Sequence, residues 1–125
     1  MQYAELGRSG LRVSRLCLGT MNFGGQASEE DSFAIMDRAL ELGINFFDTA
    51  ELYPIPPHQD FRCITEKIIG SWFKKTGKRE DIVLATKIAG PAPWTKYIRS
   101  TGFSPESIVE AVGGSLERLQ TDYID

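Results

Sequence analysis

The chain has 125 residues, of which 42% are hydrophobic and 25% are charged, a composition that fits a globular domain and excludes a disordered chain or a coiled coil. Its formal net charge of −3 gives no electrostatic reason to expect nucleic acid or an anionic membrane as a partner. Cys17 and Cys63 match no metal-binding spacing, so no metal is expected. Because no basic segment followed by an apolar one opens the chain, a cytoplasmic location with reduced thiols is expected.

The first elements have the pattern of a β-hairpin followed by a strand. The runs 2–6 and 11–13 flank a polar turn over 7–10, which predicts two antiparallel strands. The run 16–20 is nearly all apolar, which predicts a strand buried on both faces.

Three later segments have helical spacing of apolar residues. Ser28, Thr65 and Ser104 are predicted to cap these helices at their first residues, and acidic residues after Ser28 favour the helix dipole. Gly43 and Gly77 are predicted to end the first two helices. In the third helix the stripe predicted to face the core comprises Ile108, Val109, Val112, Leu116 and Leu119.

Strand-like runs alternate with these helices. The runs 44–48 and 82–87 predict two further strands, and 123–125 has the pattern of the opening of a fourth. This alternation predicts a parallel sheet with right-handed crossovers. An open doubly wound sheet and a barrel remain as alternatives, although no G-x-G-x-x-G motif follows the first strand to support a Rossmann nucleotide site.

Three polar residues lie at or just after the carboxyl ends of predicted strands, namely Asp48, Tyr53 and Lys87. In a parallel barrel these ends open on one face, so the three side chains would converge. An ammonium group held by a carboxylate stabilises a nearby phenolate. The phenol could then donate a proton to a carbonyl oxygen as hydride reaches the carbonyl carbon. Spacing alone leaves open the simpler interpretation of a turn residue, a packing residue and a solvated lysine.

The segments that carry these residues resemble the aldo-keto reductases. The run GINFFDTAELY over 43–53 matches the family's catalytic signature, and LATK over 84–87 matches its lysine strand. The runs 6–14, 18–21 and 115–125 are similar to the family's hairpin, first strand and entry to the fourth strand. Prolines after the signature and a lengthened loop at Trp94 are most similar to bacterial Tas-type members.

The resemblance implies an α/β fold. It would be a partial TIM (β/α)8 barrel with an N-terminal β-hairpin, about three β/α units and the start of a fourth strand. Residues 1–125 would then be the truncated N-terminal part of the family's barrel domain.

The resemblance also implies roles for individual residues. Tyr53 would be the catalytic proton donor, and Asp48 and Lys87 would be its supporting catalytic pair. The cofactor NADP(H) would carry the hydride. The residues implied to contact it are Gly19, Thr20, Met21 and Asp48.

The implied function is that of an NADPH-dependent oxidoreductase that reduces small aldehydes and ketones to alcohols. The family's catalytic histidine is expected just beyond residue 125, because His58 does not occupy that motif position and is expected to be exposed. Most of the family's cofactor contacts are also absent from these residues. The alternative is therefore a catalytically inactive remnant or an interaction subunit that self-associates through exposed barrel edges.

Overall fold

A computed structural model describes residues 1–99 and 102–125. These residues form an antiparallel hairpin and a parallel sheet in the order β3-β4-β5, with helices packed against the sheet. The strands are β1 Tyr3–Glu5, β2 Arg12–Ser14, β3 Cys17–Gly19, β4 Phe46–Asp48 and β5 Val83–Ala85. The helices are α1 Glu29–Glu41, α2 Ile64–Thr76 and α3 Pro105–Leu119.

The hairpin confirms the expectation for the start of the chain. Tyr3 pairs with Ser14 and Glu5 with Arg12, and the turn closes where the amide of Leu6 donates to the carbonyl of Leu11 at 2.8 Å. Beyond these backbone pairs, the Tyr3 hydroxyl ties the hairpin to the end of α1 by donating to a carbonyl there.

The parallel sheet is buried on one face only. Leu18, Phe47 and Leu84 share one level of the register and pack in the core with the helices. Cys17 and Gly19, on either side of Leu18, are exposed. The expectation that this first parallel strand is buried on both faces is therefore wrong, because within the described residues the helices cover a single face of the sheet.

Helix α1 begins and ends as predicted. The Ser28 hydroxyl accepts from the amide of Asp31, and the Asp31 carboxylate accepts from the amide of Ser28, which forms a reciprocal capping box. Gly43 follows the helix with φ +83°, a left-handed conformation that favours glycine. Ser104 caps α3 through the amide of Ser107, also as predicted.

The prediction that Thr65 caps α2 is wrong. The helix begins at Ile64, after Cys63 in a left-handed conformation at φ 57°. The Thr65 hydroxyl instead donates to the carbonyl of Phe23 at 2.7 Å in the buried interior. Thr65 therefore joins α2 to the loop that follows β3 rather than capping its own helix.

The predicted core face of α3 is wrong for three of its five residues, whereas Leu116 is half-buried and Leu119 lies in the core. Ile108, Val109 and Val112 are exposed, whereas Leu119 is fully buried. The buried face of α3 consists mainly of small residues, namely Ser107, Ala111 and Ser115, with Leu119 at its end. The two backbones approach closely where Gly70 of α2 faces Arg118 and Leu119, and any side-chain atom added at Gly70 would meet the α3 backbone there.

The described residues do not contain the predicted opening of a fourth strand at 123–125. The backbone amide of Leu84 in β5, which faces this segment, donates to the side-chain carboxylate of Asp125 at 2.9 Å. That carboxylate also pairs with Arg79 at 2.8 Å. A side chain therefore takes the hydrogen bond that a backbone carbonyl of a fourth strand would have made.

Among the helices of the described residues, none combines the length and the apolar character that a bilayer crossing requires.

Candidate active site

Asp48 and Lys87 meet at the carboxyl edge of the parallel sheet. Asp48 is the last residue of β4, and Lys87 follows the end of the neighbouring β5. Because the two strands run parallel, both side chains reach the same edge. The Lys87 Nζ donates to Oδ1 of Asp48 at 2.6 Å and to the backbone carbonyl of Thr49 at 2.7 Å. These two acceptors hold the ammonium group on the β4 side of the edge.

Tyr53 lies beside this ion pair. Its loop turns where the Tyr53 amide donates to the carbonyl of Ala50 at 3.2 Å. The Lys87 Nζ lies 4.9 Å from the centroid of the Tyr53 ring, within the range of a cation–π contact. Within the described ranges the Tyr53 hydroxyl forms no hydrogen bond with the protein, so it can donate to a ligand. The three residues predicted to be catalytic therefore lie together.

The other three residues predicted to contact a cofactor lie next to Asp48, but they differ in their exposure to solvent. Gly19 is the register partner of Asp48, and the space where its side chain would stand is open. Thr20 is fully buried, and both its amide and its hydroxyl donate to the carbonyl of Asp48, at 3.1 and 2.9 Å. Met21 is 44% exposed. Gly19 and Met21 can thus present surface to a ligand, whereas Thr20 supports Asp48 from behind.

His58 is exposed, as expected, and takes no part in this group. Its Nδ1 accepts from the amide of Asp60 at 3.2 Å and caps a short 3-10 turn over Gln59–Phe61. The described residues hold no set of three or more histidine, cysteine or acidic side chains arranged for an ion.

A buried ion pair lies directly behind the candidate site and was not predicted. Glu51, between Asp48 and Tyr53 in sequence, pairs with Arg99 at 2.8 Å, and their side chains are 2% and 6% exposed. The hydrogen bond to Glu51 is the main cause that raises the pKa of Arg99 above its ordinary value. The one signal in the sequence is the place of Glu51 inside the signature, since Arg99 lies in a distant loop.

A second buried pair extends this network towards α3. Glu66 of α2 is fully buried, and its carboxylate accepts from Arg118 at 2.7 Å and from the hydroxyl of Thr86 at 2.7 Å. Arg118 also lies 3.7 Å from Glu51. The two pairs are thus continuous and join both helices to the segments that carry the candidate catalytic residues.

Comparisons with known proteins agree with this site. The model of the Aldo/keto reductase family matches residues 15–125. The chain is 46% identical over 127 residues to Protein tas of Escherichia coli (strain K12). It is 50% identical over 128 residues to the uncharacterized oxidoreductase YrpG of Bacillus subtilis (strain 168). Both alignments cover 100% of this chain but only 37% and 38% of those proteins, so the chain spans well under half of their length.

Solved structures show the same relationship. The holo form of aldo-keto reductase AKR11C1 from Bacillus halodurans superposes with a TM-score of 0.77 at 41% identity, over 100% of this chain and 38% of that one. The thermostable aldo-keto reductase Tm1743, in complex with the inhibitor epalrestat, gives 0.74 at 30% identity, over 100% and 41%. These likenesses are consistent with a partial barrel rather than an open doubly wound sheet. The chain belongs to the aldo/keto reductase family of oxidoreductases.

Proposed function

We propose that this chain carries the proton-donating part of an NADP(H)-dependent oxidoreductase that reduces aldehydes and ketones to alcohols. The observation that carries the proposal is the position of Lys87, whose ammonium group contacts the Asp48 carboxylate at 2.6 Å and lies 4.9 Å from the Tyr53 ring centroid. A phenol, an ammonium and a carboxylate in this order form a proton-donating unit.

Each residue of the unit has a distinct task in the proposed reaction. The Tyr53 hydroxyl donates its proton to the carbonyl oxygen of the substrate, and the O–H electrons remain on the phenolate. The Lys87 ammonium stabilises that phenolate. Asp48 and the Thr49 carbonyl keep the ammonium in place through their hydrogen bonds at 2.6 and 2.7 Å. NADPH, when bound, supplies the hydride for the carbonyl carbon.

The carboxyl edge of β3 and β4 fits the nicotinamide end of such a cofactor. Gly19 leaves open space beside Asp48, and the exposed Met21 lies two residues further along. Thr20 would act indirectly, because its hydroxyl already donates to the carbonyl of Asp48. The choice of NADP(H) rests on membership of the family, and the Bacillus halodurans relative is described in a holo form.

The Tyr53→Phe variant tests the proposal. We expect it to reduce the rate of NADPH-dependent reduction of a small aldehyde by about 100-fold or more, the usual contribution of a positioned proton donor. Oxidation of NADPH, followed by its absorbance, gives the rate. Tyr123→Phe is the control, because that exposed tyrosine lies beside Arg79, away from the site, and should leave turnover unchanged. Unchanged turnover in Tyr53→Phe would reject Tyr53 as the acid.

The second candidate function is that of a non-catalytic interaction module that self-associates. The observation that favours it is the exposed apolar face of α3, where Ile108, Val109 and Val112 are 41%, 72% and 38% exposed. A titration of the isolated chain with NADPH, read by nucleotide fluorescence together with the molar mass in solution, separates the two functions. Binding with turnover supports the reductase, whereas association without binding supports the module.

A further inference from the structure

We propose that Glu51 is a positioning residue that sets the place of Lys87 in the candidate site. The inference rests on the proposed function for its catalytic meaning, while the contact it describes can be measured without turnover. Glu51 lies between Asp48 and Tyr53 in sequence and is 2% exposed. It therefore contacts the segment of the lysine from the protein interior.

Glu51 holds the chain at two points, on Lys87 itself and just beyond it. Its backbone amide donates to the carbonyl of Lys87 at 2.9 Å. Its carboxylate Oε2 accepts from the backbone amide of Ala89 at 2.9 Å. The first bond uses only the main chain, whereas the second depends on the carboxylate. A substitution at Glu51 can therefore remove one contact and spare the other.

The carboxylate is held in turn by Arg99. The guanidinium donates to Oε1 at 2.8 Å through Nη2 and to Oε2 at 3.4 Å through Nε. A buried carboxylate persists as an ion only when it is paired and hydrogen-bonded. Arg99 therefore holds both carboxylate oxygens, and Oε2 also accepts from the Ala89 amide at the shorter distance of 2.9 Å. Glutamine has a single acceptor oxygen and cannot serve both partners in this way.

The exposed ion pair between Lys87 and Asp48 cannot by itself fix the position of the Lys87 ammonium group. The side chains of Lys87 and Asp48 are 48% and 37% exposed, and ion pairs of that exposure stabilise a structure by only about 0–1 kcal/mol. Lysine also has a long flexible side chain, so its ammonium group is located only if its backbone is. The buried Glu51 supplies that support because it fixes the main chain at Lys87 and Ala89.

Glu66 offers a matched comparison within the same network. It too is fully buried and paired with an arginine, at 2.7 Å from Arg118. Its other hydrogen bond comes from the side chain of Thr86, not from the backbone beyond Lys87. Glu66→Gln therefore removes an equivalent buried charge without removing a contact to the Ala89 amide.

The experiment compares Glu51→Gln with Glu66→Gln in the full 125-residue chain by amide hydrogen exchange. The amide of Met36, fully buried in α1, is the internal reference for global opening. We expect the exchange of Ala89 relative to Met36 to rise about tenfold or more in Glu51→Gln, the scale of one lost hydrogen bond to a charged group. In Glu66→Gln the ratio should stay at its wild-type value. Equal ratios in both variants would overturn the proposal, because Glu51 would then act through stability alone.

Turnover supplies the second readout. In Glu51→Gln we expect kcat for aldehyde reduction to fall about tenfold or more with little change in KM, because misplacement of a catalytic group affects the chemical step. A change in KM alone would contradict a positioning role. If the wild-type chain shows no turnover, the proposed function fails for this chain, and the exchange ratio still decides whether Glu51 holds the Lys87 segment.

Discussion

Lys87 donates to Asp48 across two adjacent parallel strands, with 2.6 Å between Nζ and Oδ1. The contact joins the carboxyl end of β4 to the segment after β5 and brings the ammonium group to 4.9 Å from the Tyr53 ring centroid. Since both side chains are partly exposed, the pair contributes little to stability. The pair matters instead because it holds the positive charge of Lys87 beside the Tyr53 ring.

Lys87→Met should therefore abolish carbonyl reduction while it leaves the fold intact. The expected loss of unfolding free energy is about 1 kcal/mol or less, as for other exposed ion pairs. The measurements are NADPH-dependent aldehyde reduction and the thermal melting temperature.

Lys78→Met is the matched control for this change. Lys78 also contacts a carboxylate and a ring, at 3.4 Å from Asp37 and 5.8 Å from the Trp72 centroid, outside the candidate site. It should leave turnover unchanged. A large drop in melting temperature for Lys87→Met, with no such drop for Lys78→Met, would assign Lys87 a structural role instead.

Gly70→Ala should destabilise the chain. A side-chain carbon at Gly70 would overlap the carbonyl oxygen of Arg118 and lie 2.8 Å from the carbonyl carbon of Leu119, both of them backbone atoms of α3. The helices would have to separate, so we expect a loss of about 1–3 kcal/mol, as for other overpacked sites. Urea denaturation measures the change.

Gly113→Ala provides the opposite outcome in the same helix pair. Gly113 lies within α3, and a side-chain carbon there would meet nothing within 4 Å. Alanine in place of glycine inside a helix stabilises by about 0.5–1 kcal/mol. A loss of stability in both variants would show that the contact at Gly70 is not what limits the approach of the helices.

The Cys63 thiol should make stability fall at alkaline pH. Burial raises the pKa of Cys63, with Glu51 and Glu66 acting in the same direction and Arg118 and Lys67 opposing it. A raised pKa in the folded state contributes stability that is fully present below the ordinary thiol value and is lost as pH rises through the folded value. Urea denaturation over this alkaline range should give a shallower decline for Cys63→Ala than for the unsubstituted chain.

Cys17→Ala is the comparison for the thiol prediction. Burial also raises the pKa of Cys17, and Asp48 adds to the shift while Lys87 opposes it, but this residue is exposed. Its substitution should flatten the alkaline decline less than Cys63→Ala does. Equal declines in Cys63→Ala and the unsubstituted chain would show that the Cys63 thiol is not linked to folding.

The sequence predicted the chemistry of the site better than the packing around it. Asp48 and Lys87 could be placed together because parallel strands align their carboxyl ends. The buried face of α3 could not be predicted from apolar spacing, because Ser107 and Ser115 are polar and Ala111 is too small to mark a stripe. Hydrophobic periodicity reports apolar stripes, and here three residues of the stripe, Ile108, Val109 and Val112, are exposed.

The buried network was unpredictable for a different reason. Glu51 and Arg99 are 48 positions apart, and charged residues are expected at the surface when nothing indicates a partner. Thr65 is a similar case, since its hydroxyl bonds the carbonyl of Phe23, 42 positions earlier, instead of an amide of its own helix. Long-range polar pairing leaves no local pattern in a single sequence.

The bond from the Leu84 amide to the Asp125 carboxylate has a consequence for how such chains meet at high concentration. A strand from another molecule would need the Leu84 amide for a backbone hydrogen bond. It would therefore have to displace the Asp125 carboxylate, which Arg79 also holds at 2.8 Å. A further strand can therefore join β5 only by breaking the contacts of this carboxylate.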